Sequence, residues 1–128
     1  MRIVASCLAL ILLAVAFPAL AGDAPTATAA VCRTVEKNQC GGAGTTFSAE
    51  VGKLYGFSLV TGVPDKVTHV WFYKDKEKGR WTVGAPANAP RWKAFSNITV
   101  SRDMAGPWRL EIRDSSNAVL ATANFTVQ

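Results

Sequence analysis

The segment PWRLEIRD (Pro107–Asp114) alternates strictly, with Trp108, Leu110 and Ile112 on one side of an extended chain and Arg109, Glu111 and Arg113 on the other. A helix would scatter these residues around its axis, whereas a strand that covers a core on one side only sorts them in this way. Turn chemistry follows at Asp114-Ser115-Ser116-Asn117, and Val119, Ala121, Ala123, Phe125 and Val127 then recur with the same period of two. The last two strands are expected to form a hairpin with a shared apolar face.

The same logic extends toward the N-terminus. In KLYGFSLV (Lys53–Val60), Tyr55, Phe57 and Leu59 share one face and Leu54, Gly56, Ser58 and Val60 the other, the first face being the heavier. VTHVWFYK reads as a strand with Val67, His69, Trp71 and Tyr73 on one face, DKE as a turn, and GRWTV (Gly79–Val83) as the returning partner. GAPANAP is a connection, RWKAFSNITV holds one or two further strands, and SRDMAG is a turn. With Val31–Val35 and the segment around Phe47, the count is seven or eight strands, and no helical periodicity is sustained beyond the first residues. The expected fold is all-β, an immunoglobulin-like two-sheet antiparallel sandwich, with a small β-barrel as the alternative.

The opening 21 residues have the layout of a cleaved signal peptide: Arg2, an apolar run from Ile3 to Phe17, and small residues at Ala19 and Ala21. The run falls short of the ~20 residues that span a bilayer, so no stable membrane insertion is expected after cleavage, and the destination is periplasmic or secreted. Cys7 leaves with the signal. Residues 22–30, small and polar, read as a flexible leader, and residues 31–128 as a single domain. The 14 Lys and Arg, less Arg2, against 9 Asp and Glu leave a net charge of +4, which favours acidic partners without requiring one. Cys32 and Cys40 are close enough to form a short disulfide-closed loop in an oxidising compartment. Two free thiols and zinc ligation are the competing uses, the latter disfavoured by the spacing.

The chemistry-bearing residues are few. His69 is the single histidine, so any serine triad or metal site must use it. No Gly-x-Ser-x-Gly accompanies it, the carboxylates fall in turns or on solvent faces, and GGAG at Gly41 lacks the rest of a phosphate loop. His69 is therefore expected to be framework, no cofactor or metal is expected, and a small hydrolase or metal-binding protein using His69 is the alternative. NIT at Asn97 and NFT at Asn124 match the glycosylation triplet by composition and carry no functional weight.

Aromatic and basic residues interleave more suggestively. Lys74, Lys76, Lys78, Arg80 and Trp81 lie across the expected hairpin, and Arg91, Trp92 and Lys93 follow after the connection. Exposed aromatic rings beside cations stack on sugars and anchor protein interfaces. Trp108 and one of Trp71 and Phe72 are expected in the core, Trp81 and Trp92 outside it, and Arg91 and Arg109 are candidates for pairing with Glu111 or lying over indole rings. Nucleic acid is not an expected partner, because no binding motif accompanies the charge.

GKLYGF at Gly52, VTHVWFY at Val67, RWKAFS at Arg91, GPWRLEIRD at Gly106 and VLATANFTV at Val119 together resemble the bacterial domain of unknown function family 2914 (DUF2914), across Val31–Val127. The resemblance implies a compact β-domain at the cell envelope, with no established activity. Where the family often carries Asn-Arg-Glu-Pro this chain has KNQC, where it carries a cysteine this chain has Gly56, and the connection from Trp81 to Pro90 also differs. If the family's cysteines pair with each other, Cys32 has lost that partner here and Cys40 is the one that remains. The expected function is a non-enzymatic binding module for an envelope protein or polysaccharide; a structural accessory domain of an envelope assembly is a further alternative.

Overall fold

The computed structural model describes residues 24–128; the expected signal segment at residues 1–21, with Cys7, lies outside the described residues. Eleven strands follow in order: β1 (Thr26–Ala27), β2 (Ala30–Cys32), β3 (Thr34–Glu36), β4 (Gln39–Gly41), β5 (Thr46–Phe47), β6 (Lys53–Thr61), β7 (Lys66–Tyr73), β8 (Lys76–Gly84), β9 (Arg91–Thr99), β10 (Gly106–Arg113) and β11 (Val119–Val127). Single 3-10 turns occupy Ala49–Val51 and Arg102–Met104, the second of them inside the segment expected to be a plain turn.

The strands form two sheets that are not closed into a barrel. In the smaller sheet, β6 pairs with β9 along one edge and with β1 and β2 along the other; the larger has the order β5-β11-β10-β7-β8. All pairings are antiparallel except β5 with β11, which is parallel. The strands exceed the expected seven or eight because the N-terminal segment is broken into short pieces. The single strand expected at Val31–Val35 ends at Cys32, and the chain then makes a separate hairpin, β3–β4. The expected leader is also partly built into the sheet: Thr26 and Ala27 pair with Thr61 and Val60. Its residues are too short and too polar to announce a strand, and the edge of β6 supplies the order.

The N-terminal segment crosses between sheets, β2 lying on β6 of one and β5 on β11 of the other. Beyond β5, Ala49 N–H donates to Gln128 O at 2.7 Å and Gln128 N–H to Phe47 O at 2.8 Å.

The expected C-terminal hairpin is present, with Trp108 opposite Phe125, Leu110 opposite Ala123 and Ile112 opposite Ala121. Asp114 Oδ1 closes its turn by accepting from Ser116 N–H and Ala118 N–H, each at 2.9 Å. Phe125 is the hub of the core: its ring stacks on Trp108 at 5.9 Å and meets Trp71 and Phe47 edge-on. Such volume on the larger sheet demands small residues opposite it. Gly56 supplies this on β6: a Cβ there would lie 2.8 Å from both Leu110 Cδ2 and Trp71 Cζ2. Hence Leu54, Gly56, Ser58 and Val60 face the core, and the heavier Tyr55–Phe57–Leu59 face turns outward, half-buried.

The outer face of the larger sheet is closed by charge. Glu111, 9% exposed, accepts from Arg113 at 3.0 Å and from Arg109 at 3.4 Å, and Arg109 also pairs with Asp75. The Arg109 guanidinium lies 4.0 Å above the Phe72 ring. Arg109 is framework, as expected, but its ring is phenylalanine rather than tryptophan; planar guanidinium groups suit both contacts at once.

Candidate functional site

Strands β7 and β8 are joined by a two-residue turn, Lys74-Asp75, with φ of 47° and 64°. Positive φ at both positions is the type I′ geometry that matches strand twist. The strand therefore resumes at Lys76, one residue into the expected DKE turn, and Lys76, Lys78 and Arg80 lie on an edge strand. A register shift between Trp71 and Phe72 leaves Lys78 as the extra residue of a bulge.

These cations do not share one surface. Lys74 and Lys78 lie 5.3 and 5.9 Å from the centre of the Tyr73 ring, whose hydroxyl donates to Ala105 O. Arg80 donates to Glu77 at 2.7 Å, and each raises the other's tendency to stay charged: the hydrogen bond from Arg80 lowers the carboxyl pKa of Glu77 and raises that of the guanidinium. Arg80 is thus partly neutralised on the outer face. Lys76 is exposed.

Trp92, expected outside, is in the core: it is 5% exposed and its indole N–H donates to Val63 O at 3.0 Å. Its alternation with Ala94 and Ser96 faces it inward, so it contributes nothing to a ligand surface. Arg91 and Lys93, one residue to either side, point outward and are exposed. Lys93 Nζ donates to Asn38 O, at the tip of the β3–β4 hairpin, at 3.1 Å.

Trp81 is 45% exposed, in keeping with the expectation for it. It stands opposite His69 on the inward face of β8, but β8 is the last strand of its sheet and overhangs the edge of the other. The two edges approach at Gly79, where a Cβ would lie 3.2 Å from Ile98 Cδ1. Beside this contact opens a cleft of about 310 Å³ lined by Val35, Tyr55, Trp81, Phe95, Ser96 and Asn97. Val35 belongs to the β3–β4 hairpin, which is held by the Cys32–Cys40 disulfide on one side and by Lys93 on the other.

Val35, Tyr55 and Phe95 are not among the site residues expected from the sequence, and Asn97, in the NIT triplet, is given no functional weight there. Tyr55 lies on the heavier face of β6, and Phe95 and Asn97 on the outward face of β9, so an apolar face left over after the core is filled is the signal that points to them.

Below the cleft lies a polar group inside the core. His69 is fully buried, and its Nδ1 is 2.6 Å from Ser96 Oγ, which also accepts from Trp71 Nε1–H at 3.1 Å. With no other acceptor for it among the described residues, the Ser96 proton points to Nδ1, and the ring proton of His69 sits on Nε2, buried without a partner. Burial pushes the His69 pKa down to about 4, so the ring is neutral at neutral pH. A serine and a histidine at this distance form a nucleophile–base pair, but both are buried, His69 completely, and among the described residues no carboxylate orients the imidazole. Among the described residues no three His, Cys, Asp or Glu side chains converge as metal ligands, and no helix is long and apolar enough to cross a membrane.

The model of a family described as "Protein of unknown function (DUF2914)" matches residues 64–127. No curated protein matches the chain. Among solved structures, it is similar to the CARDB domain of a Pyrococcus furiosus protein, crystallised in complex with di-metal ions. That likeness has 15% identity and a TM-score of 0.49, covering 81% of this chain and 92% of that one.

Proposed function

The chain belongs to the DUF2914 family of proteins of unknown function, and from that premise we propose that it is a non-enzymatic binding module of the cell envelope, engaging a protein or polysaccharide partner along the β8–β9 side of the sandwich. The observation that carries this reading is the position of Trp81. Three of the four tryptophans are buried in the core, and the fourth stands nearly half exposed over a cleft lined by two further aromatic rings. An exposed ring that is contiguous with other apolar side chains, here Val35, Tyr55 and Phe95, marks an interaction surface rather than a scattered surface residue. Export is supported by the apolar opening of the sequence and by a disulfide, which persists in oxidising compartments.

The test is photo-crosslinking in cells from positions 76, 81 and 97. Adducts from 81 and 97 that are lost when Lys76 and Lys78 are reversed to Glu, with thermal stability unchanged, support the reading. Absence of any adduct from all three positions refutes it.

One observation favours a second reading, a small hydrolase: the 2.6 Å approach of Ser96 to His69 beneath the cleft. It requires Trp81 to swing aside and expose Ser96. A fluorophosphonate probe that labels Ser96 in the folded protein would establish it, and a protein that stays unlabelled would end it.

A further inference from the structure

We infer that the cleft between β8 and β9 is a sugar site that takes a pyranose ring of an anionic polysaccharide, stacked on Trp81 and hydrogen-bonded by Asn97 and Tyr55. The inference rests on the binding-module reading and names its ligand class. Trp81, Tyr55 and Phe95 present flat apolar faces, and at about 310 Å³ the cleft is at the lower end of the ~300–1,000 Å³ range of small-molecule sites.

The polar groups are those a sugar hydroxyl needs. The Asn97 amide supplies both donors and an acceptor, the Tyr55 phenol one of each, and among the described residues neither makes a hydrogen bond within the protein. They are half-exposed at the cleft, free to exchange water for ligand. Strand β9 adds an edge of backbone donors and acceptors, since among the described residues β6 is its only ladder partner. Ser96 turns its hydroxyl away, into the core.

Charge selects the sugar. No carboxylate lines the cleft. Lys93 and Arg91 lie on the same outward face of β9 as Phe95 and Asn97, two and four residues before Phe95. Lys93 spends one of its three N–H donors on Asn38 O and keeps the others. A uronic acid carboxylate beside the stacked ring meets that cation; a neutral sugar leaves it unused. A paired-carboxylate glycosidase site is absent from the same lining, so the cleft holds a sugar without the groups to cleave it. The β3–β4 wall is fixed beforehand, by the disulfide and by the Lys93 tether, which lowers the ordering cost of binding.

The experiment titrates the purified protein with galacturonic acid tetramers, with neutral glucose oligomers of the same length, and with an oligoglutamate peptide. Nuclear magnetic resonance follows the backbone amides of 55, 95 and 97 and the single histidine, whose ring signal also reports that each variant is folded. The expected result is a saturable shift at these amides with the acidic sugar. Trp81→Ala weakens it about tenfold or more, Asn97→Ala weakens it with the fold intact, and Lys93→Gln removes the preference over the neutral oligomer. Equal binding of neutral sugar overturns the anionic class, and equal binding of oligoglutamate overturns sugar recognition. No shift with any sugar while position 97 crosslinks to a protein overturns this inference and leaves the binding-module reading in place.

Discussion

His69 ties the stability of the domain to pH in a direction that can be worked out in advance. The perturbation is acidification from pH 7 to pH 4 in the wild type and in His69→Gln. In the unfolded chain the imidazole titrates near its ordinary 6.5; in the fold, burial holds it down to about 4. The folded value is the lower one, so across the interval the unfolded state binds the proton and the folded state does not. Stability from the neutral ring is fully present above 6.5 and is lost as pH falls toward 4. At about 1.36 kcal/mol per pH unit, the loss over that interval is about 3 kcal/mol. Urea unfolding followed by tryptophan fluorescence at pH 7, 6, 5 and 4 measures it. Carboxylates titrate in both proteins and cancel in the difference, so the wild type should lose about 3 kcal/mol more than His69→Gln. Parallel curves, agreeing within ~0.5 kcal/mol at every pH, would refute the assignment of His69 as a buried neutral ring.

Three further outcomes follow from the packing. Gly56→Ala drives a methyl group against Trp71 and Leu110 and should cost about 1–3 kcal/mol or more by chemical denaturation, with loss of soluble protein at the upper end. Trp92→Ala should cost about 3–5 kcal/mol, whereas Trp81→Ala should leave the unfolding midpoint nearly unchanged; equal exposure of the two would give two similarly small effects. Reduction of Cys32–Cys40, or its replacement by serines, should lower stability by roughly 2–3 kcal/mol from loop closure and speed hydrogen exchange in β3 and β4 before the rest of the sandwich.

The parts of the fold legible in the sequence are those where a strand's own alternation decides its orientation. Trp108, Leu110 and Ile112 have charged residues between them, so only one face can be buried. In β6 both faces are apolar, and the choice belongs to the opposing sheet: Trp71 and Leu110 need the space that Gly56 leaves, and Tyr55, Phe57 and Leu59 are turned out. Trp92 shows the converse error, since its basic neighbours Arg91 and Lys93 suggest a surface strip, although alternation with Ala94 and Ser96 points it inward. That no nucleophile motif accompanies His69 was legible; its burial and its bond to Ser96 were not, because 27 residues and a sheet boundary separate the two. Of the candidate site, Trp81 and Lys93 could be named from sequence. The residues that complete it come from β3, β6 and β9: Tyr55 and Asn97 are cross-strand partners within the smaller sheet, and the approach of the two sheet edges brings them to Trp81.

The crossing of the N-terminal segment between the sheets bears on the order in which the protein can be made. Among the described residues strand β5 has one partner, β11, and the hydrogen bonds at Ala49 and Phe47 reach to Gln128. A chain that emerges N-terminus first holds these residues idle until the last strand arrives. Truncated nascent chains should therefore remain protease-sensitive until β11 is released, and the transition should be a single late event rather than a gradual one. A late closing step leaves β5 without its ladder partner until β11 is available.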